Sequence, residues 1–67
     1  MSNRTFSQLI AARVPASDIS ARDVDTIVEH YRAHPFPKLD AYLNGGANAI
    51  AIRCICLDRY VEEVAHG

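Results

Sequence analysis

The chain has no tryptophan, two cysteines, three glycines, three prolines and no excess of charge, with seven Lys plus Arg against eight Asp plus Glu. Each shortage removes a class of function. A formal charge of −1 leaves no basic surplus to release counterions from a nucleic acid and no polybasic block for anionic lipid, so charge-driven binding to either is disfavoured. The longest mainly apolar run, Ala47 to Leu57, is too short to span a bilayer and is interrupted by Arg53. The N-terminal stretch lacks the apolar core of a signal peptide, and the expectation is a cytoplasmic protein with no membrane association.

Cys54 and Cys56 are the only cysteines. On a helix, residues two apart point about 200° away from each other, so they do not bridge within the chain, and so small a loop would barely constrain the unfolded state. Reduced cysteines packed in a core are expected. No Walker loop, dinucleotide fingerprint or nucleophile elbow occurs, and Gly45 with Gly46 does not make a phosphate cradle.

At 67 residues the chain supports a single domain, residues 1–67. Folding buries about 6,500 Å² by size scaling. That is worth about 100 kcal/mol of apolar burial against about 100 kcal/mol of lost chain entropy. So narrow a balance makes self-association a serious expectation.

Proline and glycine divide the chain into four periodic segments. Phe6, Leu9, Ile10 and Val14 follow helical spacing after Thr5 and Gln8, which stand three apart as in a capping box, and Pro15 stops the segment at Val14. Ser20 and Asp23, with the staple pair Ile19 and Val24, start a second helix that Pro35 ends near Ala33 or His34. Its apolar stripe is Val24, Ile27, Val28 and Tyr31. Pro37 suits the first turn of a short third helix, which Asn44, Gly45 and Gly46 close.

In the fourth segment, Ala47, Ile50, Cys54, Leu57, Val61 and Val64 recur at alternating spacings of three and four, the seam pattern of packed helices. Ile52, Ile55 and Cys56 form a second stripe on the flank. A strand is the competing reading, since Ile50, Ile52, Cys54 and Cys56 also alternate, but no partner strand is evident. The expected fold is all-α, a small bundle of three main helices and one short one, with the C-terminal helix central.

Chemistry is sparse. His30 and His34 share a helical face at a spacing zinc sites use, but no further ligand falls at standard spacing, so no metal or other cofactor is expected. Adjacent or next-but-one carboxylates, Glu62 with Glu63 and Asp23 with Asp25, do not converge on a point. An enzyme is not expected.

Two readings of function lead, and a metal-binding or redox protein comes third. One is a protein-binding module, a small adaptor or inhibitor of the sort phages and plasmids encode, which occupies a surface on a larger protein and self-associates as a homodimer through the seam or through the Phe6 and Leu9 face. Its candidate contact residues are Arg53, Tyr60, Phe36, Tyr42 and Arg59, arginine and aromatics being enriched at interfaces. Arg53, the only charge between Gly46 and Leu57, could instead reach a carboxylate such as Asp40. The other reading is a small DNA-binding regulator, in which the helix after Gly46 offers bases only Asn48 and Arg53, while the second helix sets Asp23, Asp25 and Glu29 beside Arg22 and Arg32.

Overall fold

The computed structural model describes residues 4–66; the expected domain's residues 1–3 and 67 lie outside the described part. Among the described residues four α-helices and one 3₁₀ turn follow one another: α1 (Phe6–Ala11), the turn (Ala16–Asp18), α2 (Ala21–Ala33), α3 (Pro37–Asn44) and α4 (Ala49–His66). The chain is all-α, with α4 packed against each of the other three helices and α1 also against α2. The short helix is α1, with six residues, rather than α3 with eight.

The start signals act as their chemistry requires. Thr5 Oγ1 accepts from the Gln8 amide at 3.2 Å while Gln8 Oε1 accepts from the Thr5 amide at 2.8 Å, a complete capping box. Ser20 Oγ accepts from the Asp23 amide at 3.2 Å, and Pro37 occupies the first turn of α3. Asn48, read from the sequence as a candidate DNA contact, is the cap of α4: its Oδ1 accepts from the Ala51 amide at 2.8 Å. Because α4 is helical from Ala49 onward, the strand reading of this segment is discarded.

Two helices end in the same left-handed turn. After α3, the Ala47 amide donates to the Tyr42 carbonyl at 3.0 Å and the Gly46 amide to Leu43 at 3.4 Å, with Gly46 at φ +74°. After α1, Val14 donates to Leu9 at 3.2 Å and Arg13 to Ile10 at 3.1 Å, but here the left-handed position, φ +50°, is held by Arg13. This turn ends α1 at Ala11, three residues before the proline-based boundary at Val14. An L side chain in that region costs free energy that glycine avoids, so Arg13→Gly is expected to raise stability by about 0.5–1 kcal/mol, less than the full penalty because glycine also loosens the unfolded chain. An unchanged or lower urea midpoint would count against this account.

The core comprises Leu9 and Val14, Ile27 and Tyr31 of α2, Leu39 of α3, and Ile52, Ile55, Cys56 and Tyr60 of α4. The flanking stripe of α4 is therefore the buried one. Of the seam expected to be the packing face, Ile50, Cys54 and Val61 are exposed, while Ala47, Leu57 and Val64 are half-buried against the core. The Phe6 and Leu9 face, expected to meet a partner, is internal: Leu9 is fully buried, and the half-buried Phe6 ring stacks on His30 at 3.7 Å between centroids.

Candidate functional site

The residue placed most differently from expectation is Tyr60. It is fully buried, and its hydroxyl donates toward the carbonyls of Leu9, at 3.1 Å, and Val14, at 2.9 Å. One phenol proton thus spans the two ends of the turn that closes α1 and fixes α4 to it. Burial, with a further contribution from Asp23, pushes the Tyr60 pKa up, so the proton stays in place. Tyr60 is a core anchor and not a contact residue.

Of the other four candidates, Tyr42 and Arg53 are exposed, while Phe36 and Arg59 are half-buried, Phe36 against the core. Phe36 and Arg59 meet, with the Arg59 guanidinium carbon 5.3 Å from the Phe36 ring centroid. Arg59 is also engaged by its own helix, since its Nε donates to Glu63 at 3.1 Å and its Nη1 lies 3.7 Å from Glu62. Phe36, Arg59 and Glu62, together with Pro37, Lys38, Ile55 and Asp58, edge a shallow hollow of about 280 Å³. Tyr42 is 38% exposed on α3. Arg53 pairs with Asp25 of α2 at 3.8 Å, not with Asp40, and both side chains are more than half exposed.

His30 and His34 lie side by side, ring centroids 5.4 Å apart. Burial and then the neighbouring His34 lower the His30 pKa, against a smaller opposing effect of Glu63, which favours a neutral ring stacked on Phe6. Among the described residues no group of three or more histidines, cysteines, aspartates or glutamates gathers as a metal would require. The buried Tyr31 hydroxyl has no hydrogen-bond partner of good geometry among the described residues, and burial, followed by the Glu63 carboxylate, raises its pKa well above the ordinary tyrosine value. Burial likewise raises the pKa of the Cys56 thiol, which removes it from the pool of ready nucleophiles.

The surface that stands out is the outer face of α4. At 100° per residue, Ile50, Cys54, Leu57, Val61 and Val64 fall within a sector of about 80°, on the opposite side of the helix from Ile52 and Ile55. Ile50 is 71% exposed and Val61 45%, Cys54 is exposed against expectation, and Leu57 and Val64 are half-buried. Toward the C-terminal end this ridge borders an apolar hollow of about 200 Å³, walled by Val14, Pro15 and Ala16 on one side and by Val61, Val64 and Ala65 on the other. Arg53 lies along one flank of the ridge and Asp58 along the other.

No family model, curated protein or solved structure matches this chain. Among the described residues, no helix is long and apolar enough to cross a membrane.

Proposed function

We propose that this chain is a non-enzymatic protein-binding module, a small adaptor or inhibitor, that engages another protein chain through the outer ridge of α4. The observation that carries this reading is the row Ile50, Cys54, Leu57, Val61 and Val64. Ile50, Cys54 and Val61 stand exposed in line, and Leu57 and Val64, half-buried with one side against the core, continue the row between and beyond them. Scattered exposed apolar residues need no explanation, but an aligned row beside an apolar hollow is the form of a contact surface.

The DNA-binding alternative draws no support from α4. Of the two side chains it relied on there, Asn48 is committed to capping, which leaves Arg53 alone, with the exposed Asp25 carboxylate 3.8 Å away to repel a phosphate.

Photo-crosslinking tests the proposal in the protein's native cells. A benzophenone amino acid in place of Ile50 is expected to yield a discrete protein adduct, whereas the same group in place of the exposed Glu29 on α2 gives none. No adduct from position 50, or equal smears from both positions, would defeat the proposed role of the ridge.

A further inference from the structure

We infer that the occupant of the α4 ridge is a second copy of this chain, lying parallel and in register, so that the two α4 helices form a short two-stranded coiled coil about a twofold axis. This rests on the ridge being a protein-contact surface and adds the identity and direction of what covers it.

Two observations point to this arrangement. The first is that the row keeps the alternation of coiled coils, +4, +3, +4, +3 from Ile50 to Val64, which places the exposed Cys54 and Val61 at the a positions and the exposed Ile50 with the half-buried Leu57 and Val64 at the d positions. Val61 at a next to Leu57 at d suits two strands, whereas the β-branched Ile50 and Val64 at d do not, so the strand number is read from the mass in solution.

The second observation is the charge on the flanks, and it selects the direction. In this register Arg53 is a g residue, and Asp58, five residues on, is the e residue of the following heptad. Parallel in-register helices bring g of one chain to that e of the other, so Arg53 of each copy meets Asp58 of its mate, twice by symmetry. An antiparallel pair would set g against g and e against e, which here opposes Arg53 to Arg53 or Tyr60 and Asp58 to Ala51, Ala65 or another Asp58. No opposite charges meet in that case. Both groups are available for the exchange. The Arg53–Asp25 pair is solvent-exposed and weak, and Asp58 is in no ion pair among the described residues.

A ridge of about 22 Å, fifteen residues at 1.5 Å each, is short for a coiled coil. The dimer is therefore expected to dissociate on dilution within the micromolar range. The hollow beside Val14 to Ala16 extends the apolar surface at the C-terminal end, where the e and g positions bring no further charge pair.

The parallel register has a chemical signature. It sets the two exposed Cys54 thiols face to face at an a position across the axis, while Cys56 is buried in each core. Diamide takes up two electrons and two protons as two thiols become one disulfide, and it serves as the probe. Purified protein at about 100 μM is expected to show a dimer mass by light scattering, falling toward the monomer near 1 μM. Diamide should convert most of the dimer to a covalent species joined Cys54 to Cys54 by peptide mapping, formed equally by Cys56→Ser and not by Cys54→Ser. Arg53→Asp should weaken the dimer about tenfold, and Arg53→Asp combined with Asp58→Arg should restore it, helix content being checked by circular dichroism in each case.

A monomer mass throughout overturns the inference. So does a dimer that fails to form the Cys54 disulfide, or a charge exchange that restores nothing. These results separate it from the reading on which it rests, because a monomer whose position 50 still crosslinks to a different, larger protein leaves the contact surface intact and removes only the second copy.

Discussion

Tyr60→Ala is expected to leave the chain largely unfolded at 25 °C. Truncating a fully buried aromatic side chain costs about 3–5 kcal/mol, and a single core of this size holds a total of about 3–5 kcal/mol. The loss here goes beyond the ring. The Val14 carbonyl receives no other hydrogen bond among the described residues, and the Leu9 carbonyl shares the same phenol proton within the turn that closes α1. Removing the side chain thus opens a cavity and releases α1 from α4 in one step. Far-UV circular dichroism and urea titration measure the effect. Tyr60→Phe, which keeps the ring, is expected to remain folded with about 1–3 kcal/mol less stability, the cost of leaving a buried acceptor unpaired. Full helicity in the alanine variant would remove Tyr60 from the core, and an unaltered urea midpoint in the phenylalanine variant would remove the anchoring role of its hydroxyl.

That Tyr60 was expected at a contact surface and is instead the central side chain of the core follows from how α4 presents itself as sequence. Two stripes compete along it. The row from Ala47 to Val64 runs without a charge, whereas the row that is buried, through Ile52, Ile55, Cys56 and Tyr60, passes beside Arg59 and Glu63 and so looks interrupted. The interruption is local. Arg59 and Glu63 bond each other at 3.1 Å, and Arg59 lies over Phe36, so both charges sit at the margin of the core without entering it. Periodicity detects an apolar row and does not say whether it meets this chain or another one.

The boundaries were more legible, because a helix end is decided by a few residues acting locally. Ser20, Pro35, Pro37 and Gly46 each operate where their chemistry puts them. The end of α1 was hidden because the left-handed position is occupied by Arg13, which carries none of the signal a glycine would give. The start of α4 was visible in principle: an asparagine immediately before the apolar row is a cap signal, and reading Asn48 for its base-contacting chemistry obscured it.

Two isoleucines two residues apart on α4 make the sharpest test of which face is inside. Ile52 is buried, and an aspartate there places a carboxylate among Ile27-type core residues with no partner to pair it, a penalty of several kcal/mol that exceeds the whole stability of so small a domain. Ile52→Asp is expected to abolish cooperative unfolding. Ile50→Asp changes the same residue type by the same chemistry at 71% exposure and in the first turn of the helix, where a negative charge gains about 0.3–1 kcal/mol from the unpaired amides. At about 1 μM, where the chain is monomeric on the present reading, its Tm is expected to equal or exceed that of the unaltered protein. Raising the concentration to about 100 μM should then separate them: association linked to folding lifts the Tm of the unaltered chain, and Ile50→Asp, having lost the apolar side chain at one d position, should show no such rise. If both substitutions unfold the chain, α4 is enclosed on all sides and the outer ridge is part of the core. If neither does, Ile52 does not bear on the core as the packing requires.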